Sequence, residues 1–489
     1  MKKQYSLIAL LATLLITASC SNGNDEYISD IGNWGPGPEE SYEKYTEYGE
    51  NKFIAVADQP LSTFSIDADG ASYSNMRRFV NLGQLPPKAS VRVEEFLNYF
   101  TFNYPEPTGG HHVSTDTEIA RCPWNPDHLL LRVGLKGKNV PLAELPPSNY
   151  VFLIDVSGSM NSPDKLELLK EGFLKLVDVL GEQDRVAIVV YAGSAGVVLP
   201  STYGDEKEKI RRAIRGLGAG GSTAGAQGLI TAYEIAVKNY IPDGNNRIII
   251  GSDGDFNVGP SSNEELVELI EGQRDQGIYL TVLGVGSGNL NDSMMEQIAN
   301  KGNGTYEYID NVEQLEKVFI HERAKFYTAA KDCKVQLAFD PQVVKEYRLI
   351  GYENRVMDNE DFEDDKKDAG EIGVGQSVTA LYELVPAYLD MYAGARRFAT
   401  LDVRYKKPGD ENSLLISSEI ETVPVSIESA TEHTRFAASV AAFGMLLKES
   451  EFAGGANRET VLSLGRNAVS YDPNGYRAAF LKLVEKSKL

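Results

Sequence analysis

Five histidines, three cysteines and a shortage of basic side chains set the first limits on this 489-residue chain. His111, His112, His128, His321 and His433 are too scattered for a zinc cluster, which needs imidazole or thiolate ligands at short spacing. Against 70 acidic residues stand only 48 lysines and arginines, giving a formal charge of -22. Phosphate backbones would be repelled, so nucleic acid is excluded as a partner. The sequence also lacks a G-x-S-x-G nucleophile elbow, a Walker loop and an H-E-x-x-H helix, which removes the commonest hydrolase and nucleotide-binding signatures. Beyond the N-terminus no stretch reaches the roughly 18 consecutive apolar residues of a membrane-spanning helix.

What is present begins with a targeting segment. Lys2 and Lys3 precede an apolar run from Leu7 to Ile16, too short to cross a bilayer and suited to a secretory signal. It ends in TASC, which resembles the lipobox of bacterial lipoproteins, with Thr17 where Leu is usual. The resemblance implies that Cys20 becomes the lipidated first residue and that the protein sits in a bacterial cell envelope, tethered to a membrane, periplasmic or surface-exposed. Cys122 and Cys333 then remain as a possible disulfide or as two free thiols, and spacing does not decide between these.

The densest signal is YVFLIDVSGSM, Tyr150 to Met160. Val151 to Ile154 is a continuous apolar run, as expected for a strand buried on both faces of a parallel sheet. Asp155, Ser157 and Ser159 then alternate where such a strand leaves the sheet, the place where open α/β sheets bind ligands. Hydroxyl and carboxylate oxygens suit a small hard cation such as Mg²⁺. Thr223 stands in LGAGGSTAGAQGL before an apolar helix, and Asp253 follows the apolar strand residues of NRIIIGSDG. Singly, each residue reads as a helix cap or a turn. Gly216, Gly218 and Gly221 spell G-x-G-x-x-G, but a charged helical run precedes them rather than a strand. They are read as letting the Thr223 loop approach the metal closely.

Patterning along the chain predicts a signal peptide over 1–19, a flexible spacer over 20–55 and an N-terminal segment over 56–110, where Asp67 and Asp69 are read as favouring helix entry. Extended pairs follow over 111–148, strands alternating with helices over 149–323, a β-rich region over 324–425 and a helical cap over 426–489. The fold class is α/β, a doubly wound, mostly parallel sheet. If the strands of 111–136 complete a β-sandwich with those after residue 324, the α/β domain is an insertion in it. DNEDFEDDKKDAGE, from Asp358, reads as a solvated acidic loop.

The D-x-S-x-S loop with Thr223 and Asp253 resembles the metal-ion-dependent adhesion site of von Willebrand factor type A (VWA) domains. The flanks STFSIDADGASYSNMRRFVNLGQLPP, VRVEEFLNYF and CPWNP, with AGEIGVGQSVTALYELVP and RFAASVAAFGMLLKES, are similar to YfbK-like bacterial VWA lipoproteins. The resemblance implies that Ser157, Ser159 and Thr223 bind Mg²⁺, Mn²⁺ or Ca²⁺ directly, with Asp155 and Asp253 acting through waters. It further implies a protein partner that offers a Glu or Asp to the ion, and no enzymatic role. A Mg²⁺-dependent hydrolase or a purely structural envelope-assembly role are the alternatives. A hydrolase would need a general base or cationic clamp, which the loops after the strands do not supply.

Overall fold

The apolar run of Tyr150 to Ile154 becomes the heart of a strand, Ser148–Asp155, buried along its whole length at the middle of a six-stranded sheet. The computed structural model describes residues 42–192, 194–220, 225–254, 263–388 and 394–489. On one side of the central strand runs Arg185–Ala192, parallel to it, followed at the edge by the antiparallel Ser194–Tyr203. On the other side lie Asn245–Ser252, Ile278–Val285 and Tyr306–Ile309, all parallel. Both the edge strand and Tyr306–Ile309 lack a long apolar run, so neither stands out in the sequence.

Alternation along the central strand serves two cores. Tyr150, Phe152 and Ile154 face the helix Leu168–Val179, where Phe173 stacks on Phe152 with ring centroids 4.3 Å apart. Val151 and Leu153 face the opposite core with Leu229 and Tyr233 of the helix Gly225–Lys238. Helices thus cover both faces, as the doubly wound pattern requires.

The chain enters and leaves this domain at one place: the Ser148 hydroxyl lies 2.8 Å from that of Tyr327. The preceding strand, Leu129–Gly137, pairs with Val113–Arg121 and with Ser377–Pro386 across the insertion. Val344–Ile350 and Ile54–Ala55 complete that sheet. A second sheet holds Gly370–Gly373, Thr328–Phe339, Arg396–Lys406 and Leu414–Thr422, with Leu61–Ser65 also paired to Thr328–Phe339. Side chains from both sheets, such as Leu131, Leu135, Val335, Leu401 and Tyr382, share one apolar core. The α/β domain is therefore inserted in a β-sandwich.

The helices after residue 431 are not a separate cap. Phe436, Phe443 and Phe480 merge with Tyr73, Phe96 and Phe100 of the N-terminal segment in one core against the outer face of the sandwich, contributed by Leu130, Ile350 and Leu381. Chain ends far apart in sequence thus form one layer.

The structure decides the open question of the two cysteines and corrects several expectations. Cys122 and Cys333 are free thiols, not a disulfide. Cys122 lies in the helical core and Cys333 inside the sandwich, so they belong to different apolar clusters, and burial pushes both thiols up. Residues from 42 onward are not flexible spacer as expected up to residue 55, because the backbone N–H groups of Tyr42 and Lys44 donate to the carbonyls of Gly288 and Leu290. Asp67 and Asp69 do not cap a helix: Asp67 accepts from Arg355 at 2.8 Å, and Asp69 accepts the backbone N–H of Tyr306 at 3.1 Å. The acidic loop is pinned, its carbonyls at Asp361 and Asp364 accepting from Lys334. Cys20 lies outside the described residues.

Candidate metal centre

Strand order reverses beside the central strand. After Ser148–Asp155 the chain adds strands on one side, then crosses to place Asn245–Ser252 on the other. The carboxyl ends of these two strands bound the crevice that such a reversal opens. Ile154 is level with Gly251, so Asp155 and Asp253 emerge side by side.

The Asp155 loop is shaped by its own side chains. Asp155 Oδ1 accepts the backbone N–H of Ser157 at 2.8 Å, which turns the chain and brings the Ser157 and Ser159 hydroxyls to 3.0 Å from each other. Asp155 Oδ2 accepts from the Ser252 hydroxyl at 3.2 Å, tying the two strand ends together. Asp155 and Asp253 are both fully buried. Burial raises the Asp155 carboxyl, and the nearby Asp253 adds to this against the hydrogen bonds from Ser157 and Ser252. For Asp253 burial acts in the same direction, but hydrogen bonds from Lys165, Ser159 and Asn289 outweigh it and hold the carboxyl below its ordinary range.

The structure therefore brings together Asp155, Ser157, Ser159 and Asp253. Thr223 lies outside the described residues. The described end of its loop is anchored to the same place, since the Gly220 N–H donates to the Val156 carbonyl at 2.7 Å. An added Cβ at Gly218 would meet nothing within 4 Å, and at Gly216 it would meet the carbonyls of Arg212 at 3.3 Å and Ala213 at 3.5 Å, so neighbouring protein atoms do not demand glycine at Gly218. Gly221 also lies outside the described residues. The glycine that close approach does require is Gly254, at φ +98°, whose added Cβ would lie 2.2 Å from the Asn291 nitrogen.

One residue of the site escaped the sequence reading. Lys165, only 7% exposed, donates to Asp253 Oδ2 at 2.9 Å and to Asn289 Oδ1 at 3.1 Å. A cation therefore stands beside these loops, contrary to the expectation that none does. It arrives from the first turn of the helix rather than from a strand end. Its position four residues before Leu169, on the sheet-facing side, was the available signal.

The donor set fits a hard divalent cation: two adjacent hydroxyls and two buried carboxylates, all oxygen, with no sulfur or imidazole among them. Among the described residues no three His, Cys, Asp or Glu side chains gather into a metal cluster, which distinguishes this hydroxyl-and-carboxylate donor set from such clusters.

Comparison with known proteins identifies the family of each region. The family described as von Willebrand factor type A domain matches residues 149–320, that described as von Willebrand factor matches 39–132, and that described as Uncharacterized protein YfbK, C-terminal, matches 324–489. The chain is 40% identical over 470 residues to Uncharacterized protein YfbK of Escherichia coli (strain K12), covering 90% of this chain and 80% of that one. It is 29% identical over 166 residues to human inter-alpha-trypsin inhibitor heavy chain H3, covering 32% of this chain and 18% of that one. Among solved structures it resembles a von Willebrand factor type A protein from Catenulispora acidiphila, with a TM-score of 0.44 and 16% identity over 78% of this chain and 91% of that one. With that extent of identity across all three regions, the chain belongs to the YfbK family of von Willebrand factor type A domain proteins.

Proposed function

We propose that this protein binds a protein partner through a divalent cation held at the loops of Asp155 and Asp253, and that lipid on Cys20 tethers it to a membrane of the bacterial envelope. The observation that carries the reading is the convergence of the Ser157 and Ser159 hydroxyls with Asp155 and Asp253 at the reversal of strand order. Ser157, Ser159 and Thr223 would hold the ion, with Asp155 and Asp253 engaging it through water. Such an ion supplies an electrophilic point for a carboxylate. Because the direct donors are neutral hydroxyls, little charge from the protein offsets the cation, and a Glu or Asp from the partner completes its coordination.

Binding is favoured over turnover by the state of Lys165, the cation that the described residues place at the site. Lys165 is committed to Asp253 and Asn289 and is not presented to a substrate. The test is calorimetric titration of the full-length protein with Mg²⁺ and Mn²⁺, followed by capture of partners from envelope extract with and without EDTA. Uptake of metal that is lost in Ser157→Ala/Ser159→Ala, with capture that EDTA abolishes, is the expected result. Capture indifferent to both EDTA and the double substitution would refute the reading. Membrane release of Cys20→Ala tests the anchor.

A further inference from the structure

We propose that Lys165 sets the charge of the metal centre, weakening its hold on a bare divalent ion and strengthening the hold of the loaded site on an anionic ligand. The inference rests on the metal-dependent reading above.

The lysine occupies a built slot. Gly286, at φ +73°, walls it: an added Cβ there would lie 2.2 Å from the Lys165 Cε and 2.6 Å from Cγ. At the far end the ammonium meets Asp253 Oδ2 at 2.9 Å and Asn289 Oδ1 at 3.1 Å. Burial in such a slot disfavours a charge unless it is paired, and here the pair is the carboxylate expected beside the ion.

Two consequences follow for the ion. The two carboxylates Asp155 and Asp253 and the one ammonium leave a formal charge of one negative, so loading with a divalent cation turns the centre positive. Repulsion from Lys165 opposes the loading and attraction assists any carboxylate that arrives afterwards. Asp253 also accepts from Ser159, so Lys165 fixes the orientation of the carboxylate that both of them meet. Lys165 is in this sense a positioning residue, acting through Asp253.

The test compares wild type with Lys165→Met and with Lys165→Gln, which keeps a hydrogen bond to Asp253. Mn²⁺ affinity is measured by calorimetry on the full-length protein. Acetate is then titrated into the Mn²⁺-loaded protein while water-proton relaxation reports displacement of coordinated water. With the ammonium removed from beside Asp253, Mn²⁺ should bind at least about tenfold more tightly in both variants and acetate several-fold more weakly. A merely structural role would weaken both. Variants that bind Mn²⁺ no more tightly than wild type, while Ser157→Ala/Ser159→Ala abolishes uptake, would overturn the role of Lys165 and leave the metal centre standing. Wild type that takes up no Mn²⁺ would overturn the metal reading, and this inference with it. A crystal structure of the Mn²⁺-loaded wild type decides the matter independently of how the variants fold: Nζ should remain on Asp253, and a Lys165 swung out of the slot would refute the proposal.

Discussion

At the residue scale, burial sets the chemistry of the reactive side chains. Cys122 and Cys333 are buried in separate apolar clusters, and desolvation pushes both thiols up, away from the reactive thiolate. In the native protein both should be silent to Ellman's reagent and should react only after denaturation, and the melting temperature should be the same with and without reductant. Cysteine spacing could not have decided this, because pairing depends on where each strand or loop faces in the fold. Asp155 shows the opposite case. Its alternation with Ser157 and Ser159 is local, so the short contacts that shape the loop were legible in eleven consecutive letters.

At the element scale, the short helix Val93–Asn98 carries buried charge into the junction between domains. Arg92, just before it, bonds Glu95 and reaches Asp292 of the α/β domain at 2.6 Å. Glu94 and Glu95 are both pushed from an ordinary 4.5 up to about 8. Burial is the main cause in each. Glu353 and Asp67 add to it at Glu94, whereas at Glu95 Arg92 opposes it. An unfolded chain releases these protons near 4.5, but the folded chain keeps them until about 8, so the folded state binds more protons in between. Stability contributed by these groups should therefore fall as pH rises from 4.5 to 8, by up to ~1.4 kcal/mol per pH unit for each such proton. Melting curves across that window should show the decline, and Glu94→Gln should flatten it. An unchanged slope in the variant would refute the assignment to Glu94. The helix lies within VRVEEFLNYF, a stretch the sequence marks by its similarity to the family. Its partners were not legible there, because Asp292 lies about two hundred residues further along the chain.

At the scale of the whole molecule, the inserted domain is gripped by what surrounds it. Arg77 of the N-terminal helix bonds Asp310 at 2.7 Å, Arg355 of the sandwich region bonds Asn300 at 2.7 Å, and residues 42–44 run along the Gly288–Leu290 loop that carries Asn289 beside the metal centre. The terminal helices are equally integral, since Phe436, Phe443 and Phe480 fill the core around Phe96 and Phe100. Deleting residues 432–489 would strip three phenylalanines from that core, each worth ~3–5 kcal/mol on truncation to alanine. The truncated chain should fail to give a cooperative melt, and one that melted like wild type would show the helices to be a dispensable appendage.

The alternation of strands and helices in the α/β domain and the oxygen-rich loop at Asp155 were determined by the sequence alone, because each depends on periodicity or on contacts within a few residues, whereas the insertion was only one of its options and became fact when Leu129–Gly137 paired with Ser377–Pro386. Only the tertiary structure decided that Lys165 meets Asp253, that Asp67 meets Arg355, that the two cysteines stay apart and that residues 73–104 share one core with the terminal helices. These are pairings between distant segments. Apolar patterning says which face of an element is buried, but a buried face carries no mark of the face it will meet.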